Sequence, residues 1–159
     1  MAEHKGKMKQ KKKGKVFLAS GTFDLLHLGH VKYLEEAKKA GGPNAKLIVI
    51  VARDKTVEKR KGHKPVMPED HRKALVESLR VVDEAVLGRE VFDMGEVIDE
   101  IKPDVIALGH DQNDIEKQVR QTIAKKKANI QVVKIGKFGK PELNSSLKIK
   151  KKVSELYKG

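Results

Sequence analysis

VFLASGTFDLLHLGHVKYLEEAKKAGGPNAKLIVIVA, residues 16–52, is the stretch whose reading decides the fold. VFLAS, residues 16–20, is a short apolar run and reads as a strand. GTFDLLHLGH, residues 21–30, turns out of it. A helix starts near Leu28 and is plainest over 30–40, where Val31, Leu34 and Ala37 recur among Lys and Glu. Gly41-Gly42-Pro43 stops that helix. KLIVIVA, residues 46–52, is a continuous apolar run, as in a strand covered on both faces. Strand, helix, strand over this length is a parallel βαβ unit.

The same alternation continues. Residues 53–67 are polar and read mostly as loop. A helix follows from Pro68, with acids in its first turn, where they suit the helix dipole. VDEAVLG (82–88) contains a short strand, VFDMGEVIDEI (91–101) is a helix, and DVIALG (104–109) is a buried strand. A helix covers roughly 114–127, IQVVKI (130–135) is the last strand, and NSSLKIKKKVSELYK (144–158) closes as a helix capped by Asn144 or Ser145. The fold class is therefore α/β: one domain, residues 16–159, built on a doubly wound, parallel, five-stranded Rossmann-like sheet. Ligands of such sheets bind beyond the carboxyl ends of the strands, which directs attention to residues 20–30, 53–67, 109–114 and 136–146.

Composition narrows the class. The chain has 159 residues, 38% hydrophobic and 36% charged, with no cysteine. Disulfides and thiolate metal sites are excluded. No apolar run is long enough for a bilayer, and the polar, basic N-terminus does not resemble a secretory signal; a cytoplasmic protein is expected. The net charge of +13 sits mainly at the ends. Residues 1–15 carry seven Lys and one Glu, residues 137–159 seven Lys and two acids, and the body between them only +2. Residues 1–15 have almost nothing apolar to bury and read as a disordered, solvated basic tail. Contact with nucleic acid or a membrane surface is the rival use of such a tail.

At the turn after the first strand, Gly21 lets the backbone approach a ligand closely. The helix near Leu28 aims its free N–H groups and dipole into the same crevice, a ready anion site. His27 and His30 are one turn apart and can both face it. Imidazole donates well to phosphate oxygens. A zinc pair would need further ligands, and His63, His71 and His110 stand at no ligand spacing. Two structural histidines would leave the adjoining Gly-Thr and helix start unexplained.

GTFDLLHLGH resembles the signature of the HxGH nucleotidyltransferase superfamily, and its longer form, GTFD-x-x-H-x-G-H, is more specific than HxGH alone. The resemblance runs from about Val16 to Ile149 and is nearest to the small single-domain subgroup of glycerol-3-phosphate cytidylyltransferases and archaeal FAD synthases. It implies nucleotidyl transfer: an acceptor phosphate attacks the α-phosphate of a nucleoside triphosphate and pyrophosphate leaves. His27 and His30 would be the catalytic pair, stabilising charge in the transition state. Gly21, Thr22, Phe23, Leu28 and Gly29 would bind the nucleotide with them. So would Asp111, after the fourth strand near ribose or base, and Ser145 and Ser146, which open the last helix. Phe138 would stack on a base or a flavin ring, or else belong to the core. Lys61, Lys64, Arg72 and Arg80 would bind substrate or phosphate. Mg²⁺ or another divalent cation would bridge phosphates, held mostly by substrate and water rather than by protein side chains. A homodimer is implied by resemblance alone.

Two departures bear on the substrate. GKFGKPELNSSLKI lacks the Arg of the cytidylyltransferases' second signature, and the chain has no cysteine in the C-terminal loop where archaeal FAD synthases often carry one. The stretch VARDKTVEKRKGHKPVMPEDHRKALVE, with LGHDQ later, is more similar to the archaeal FAD synthases. The leading expectation is AMP transfer from ATP to FMN, giving FAD. The alternative is a cytidylyltransferase making CDP-glycerol, or a related CDP-alcohol, from CTP and a small phosphate ester. A nucleic-acid-binding protein using the lysine-rich ends is the reading of another class; it leaves the histidine pair unexplained and has no aromatic-rich face to offer.

Overall fold

A computed structural model describes residues 13–138 and 143–158 of the chain. The expected tail over 1–15 lies almost wholly outside the described residues; Lys13 to Lys15 take neither helix nor strand.

Five strands form one parallel sheet: β1 (Val16–Gly21), β2 (Lys46–Val51), β3 (Glu84–Leu87), β4 (Val105–Leu108) and β5 (Gln131–Lys134). Their spatial order is β3-β2-β1-β4-β5. The chain winds outward from β1 to β3, then returns to the other side of β1 for β4 and β5. The reversal lies between β1 and β4, where the crevice of a doubly wound sheet opens. Six helices accompany the strands among the described residues: α1 (Leu28–Ala40), α2 (Asp54–Lys61), α3 (Glu69–Glu77), α4 (Met94–Ile101), α5 (Asn113–Lys126) and α6 (Ser146–Leu156).

Strand alternation divides the apolar residues between two layers. Phe17 and Ala19 of β1, with Leu47 and Val49 of β2, join Leu34 and Ala37 of α1 and Val76 of α3. Leu18, Ile48, Ile50, Ile106 and Leu108 face the other way, onto Met94, Val97 and Ile98 of α4 and Val119 of α5. Each fully buried aliphatic side chain contributes about 1.5–3 kcal/mol, against about 0–1 kcal/mol for an exposed ion pair, so these layers hold the fold.

One segment departs from the sequence reading. Residues 54–61, expected as loop, form α2. The helix carries one buried apolar side chain, Val57, and so shows no apolar stripe. It is fixed at its N-terminus by charge: the Asp54 N–H donates to Glu69 Oε2 at 2.7 Å, and Arg53 donates to Glu69 Oε1 at 3.1 Å. Gly62, at φ +75°, ends it in the left-handed conformation that glycine accommodates.

Candidate active site

A cavity of about 460 Å³ opens at the carboxyl ends of β1 and β4. Its wall begins where β1 ends. Phe23 and Leu25 have φ of +54° and +49°, left-handed values that cost side-chain-bearing residues energy. This tight turn brings the chain from Gly21 into α1 within a few residues. A Cβ on Gly21 would lie 2.9 Å from the Phe23 ring, so this glycine makes room for Phe23 as well as for any ligand.

His27 is the N-cap of α1, in extended conformation. Its N–H donates to Nδ1 of His30 at 3.2 Å. Nδ1 of His30 is thereby an acceptor, which leaves Nε2 to carry the proton of the neutral ring. The two rings stack with centroids 3.7 Å apart, and Phe23 meets the His30 ring edge-on at 5.4 Å. Gly29, between the histidines, has no room for a side chain: a Cβ there would lie 2.9 Å from the His27 ring and 3.0 Å from the Phe138 carbonyl oxygen. The small residue of the HxGH pattern therefore seats the first imidazole. Nδ1 of His27 is buried without a hydrogen-bond partner among the described residues.

Burial pushes the His30 imidazolium down to about 3, helped by the neighbouring His27 and Lys61. Burial also lowers His27. Both rings are neutral near pH 7, and a bound phosphate would favour their protonated forms. Lys61, at the end of α2, is lowered first by burial, then by the like charges of Arg60 and Lys150. Arg60, Lys61 and Lys137 line the cavity. The positive end of α1, two imidazoles and this group of cations converge on one space, which suits a polyanion.

Two buried charges hold the turn. Arg72 is 0% exposed. Its guanidinium donates to the Thr22 carbonyl at 2.6 Å, the Met67 carbonyl at 2.9 Å and Asp54 at 2.7 Å. Asp24, 3% exposed, accepts N–H groups from Val66 and Met67, each at 2.9 Å, and an ammonium proton of Lys150 at 3.1 Å. Burial would raise its carboxyl, but the Met67 and Val66 donors and Lys150 outweigh that and hold it below the usual carboxylate range. Across the crevice, Gln112 donates to the Ser20 carbonyl at 2.9 Å and accepts the Gly109 N–H at 2.8 Å, joining the carboxyl ends of β1 and β4. Ser145 caps α6, its hydroxyl accepting the Lys148 N–H at 3.2 Å.

The expected residues divide clearly. Gly21, Thr22, Phe23, His27, Gly29, His30, Lys61, Asp111, Phe138, Ser145 and Ser146 all line the cavity. Leu28 is 60% exposed and does not. Lys64 and Arg80 are exposed outside it. Arg72 lies beneath the turn, its guanidinium engaged by protein groups rather than offered to a ligand. Asp24, Arg60 and Gln112 line the cavity without having been expected there. Asp24 and Gln112 act through partners distant in sequence, a signal that local pattern does not carry. Arg60 was legible only once α2 was known to be a helix. Among the described residues no group of three or more His, Cys, Asp or Glu side chains could hold a metal ion, and no helix is long and apolar enough to cross a membrane.

Residues 18–152 match the family described as cytidylyltransferase-like. The chain is 47% identical over 139 residues to an FAD synthase of Methanothermus fervidus, covering 87% of this chain and 94% of the relative. It is 45% identical over 146 residues to an FAD synthase of Methanobrevibacter smithii, covering 91% and 95%. Among solved structures, a Thermoplasma volcanium protein described as a lipopolysaccharide core biosynthesis protein superposes with a TM-score of 0.71 at 42% identity, covering 79% of this chain and 99% of that one. A Francisella tularensis pantoate-beta-alanine ligase shares the fold, with a TM-score of 0.62 at 14% identity, covering 90% of this chain and 67% of that one.

Proposed function

The chain belongs to the cytidylyltransferase-like family, and from that premise we propose that it is an FAD synthase: it moves AMP from ATP to FMN, giving FAD and pyrophosphate. The observation that carries this is identity of 43–47% to FAD synthases over nearly the full length of both chains. The cavity supports it with a phosphate-binding geometry at the point where the motif sits.

In the reaction an oxygen of the FMN phosphate attacks the α-phosphorus of ATP. The new bond forms there as the α–β bridging bond breaks, and its electron pair leaves on pyrophosphate. No covalent intermediate on the protein is needed, so catalysis rests on placement and charge stabilisation. Nε2–H of His30 and the His27 ring would donate to the α-phosphate, with the first N–H groups of α1 behind them. Arg60 and Lys61, with Ser145 and Ser146 at the opening of α6, would hold the β- and γ-phosphates. Asp111 and Phe138 line the same cavity; Asp111 would accept from ribose or base, and Phe138 would offer a ring face to adenine or flavin.

A divalent cation would enter as a companion of the triphosphate, held mostly by substrate and water. When bound, it would neutralise phosphate charge. We also assign the reaction to the cytoplasm, where ATP and FMN are found.

The test is direct. The protein is incubated with Mg²⁺, ATP or CTP, and FMN or glycerol 3-phosphate, and pyrophosphate and product are measured. FAD formed from ATP and FMN is the expected result. CDP-glycerol formation without FAD would overturn the assignment.

A further inference from the structure

α6 is attached in an unusual way. No side chain of the helix is buried, and none belongs to either core layer. Leu147, Val153 and Leu156 face solvent. Apolar burial, which holds the other helices, therefore does little here. Yet α6 carries Ser145 and Ser146 at its opening, and both line the cavity. Its position must be set by something other than the core.

Lys150 of α6 pairs with Asp24 at 3.1 Å. Asp24 lies between Phe23 and Leu25, the two left-handed residues of the catalytic turn. The same Oδ2 oxygen that takes Lys150 also accepts the Val66 N–H, while Oδ1 accepts that of Met67. One buried carboxylate thus joins the turn, the segment before α3 and the last helix. A charge pair whose acid is nearly fully buried is screened far less than an exposed one, and loss of one partner leaves an uncompensated buried charge.

We propose that the Asp24–Lys150 ion pair is the tie that seats α6 on the site, making both residues positioning residues for Ser145 and Ser146. The activity side of this inference rests on the FAD synthase reading; the attachment side does not.

Hydrogen exchange tests the attachment in the full chain without nucleotide. In Lys150→Met, amides of α6 should exchange at least about tenfold faster, while those of β1 and β4 stay unchanged. In activity, Lys150→Met should lower kcat/KM by about tenfold or more, chiefly through KM for ATP, and Lys150→Arg should recover most of it. The Asp24→Asn, Lys150→Met double variant should be no worse than the poorer single, because the Asp24–Lys150 contact is already lost in each single variant. Unchanged α6 exchange in Lys150→Met would overturn the tie, as would losses that multiply in the double variant. If Asp24→Asn fails to fold, the Lys150→Met exchange result decides alone. A wild-type protein that makes no FAD would sink the functional reading and leave the exchange test standing.

Discussion

The His27 and His30 rings lie face to face, 26° from parallel with centroids 3.7 Å apart, and the backbone of the first holds Nδ1 of the second. The pair is one unit. Its geometry fixes which nitrogen of His30 can donate, and burial lowers both rings, so that they are neutral near pH 7.

In the proposed reaction, removing either ring would remove a donor aimed at developing charge. His27→Ala and His30→Ala should each lower kcat by about 10²–10³-fold with little change in circular dichroism. Steady-state kinetics at saturating ATP and FMN checks this; near-normal kcat in either variant would exclude the role.

The acid limb of stability should carry the mark of His30. Unfolded, an imidazole takes up its proton near its ordinary value of 6.5; folded, this one waits until about 3. Between those values the unfolded state binds more protons, so stability is lost as pH falls through the window and is insensitive to this group above it. Thermal melts from pH 7 to pH 3 should show a steeper decline for the wild type than for His30→Gln. Parallel curves would rule out the buried neutral ring.

Gly29 separates packing from chemistry. A Cβ there would press on the His27 ring at 2.9 Å and on the Phe138 carbonyl at 3.0 Å. Gly29→Ala should keep the fold while kcat drops by about tenfold or more, since a misplacement of about 1 Å can cost about 10²-fold. Kinetics paired with a melting temperature distinguishes this from general destabilisation.

Arg72 and Arg80 should behave oppositely. Arg72→Met leaves the Thr22 and Met67 carbonyls without their donor and the partly exposed Asp54 without its partner, and should cost about 2–3 kcal/mol in denaturant unfolding. Arg80→Ala, at an exposed position, should stay within about 0.5 kcal/mol. Equal effects would refute the buried tie.

The strands were readable because a doubly covered parallel sheet writes itself as uninterrupted apolar runs, as in KLIVIVA. The histidine pair was readable because its members are neighbours in sequence. α2 was not: with Val57 as its single buried residue, DKTVEKRK has no face for a periodicity to reveal. The place of Arg72 was hidden for another reason. An arginine among exposed helix positions looks solvated until Thr22, fifty residues earlier, is known to lie against it. Asp24 was masked in the same way, its partners being Val66, Met67 and Lys150. Local pattern reports what a residue prefers; it does not report which distant group will meet it.

The left-handed conformations of Phe23 and Leu25 carry an evolutionary consequence. Glycine would take either position without strain, but at 23 it would give up a ring that is 3% exposed and packed in the core, a loss larger than the strain relieved, so durability alone would favour it only at 25. At 23 it would also strip away the ring that meets His30 edge-on. At 25 it would loosen the span leading to the N-cap histidine. Position 25 thus marks a trade between durability and turnover: stabilised descendants that acquire glycine there are expected to be hardier and slower enzymes.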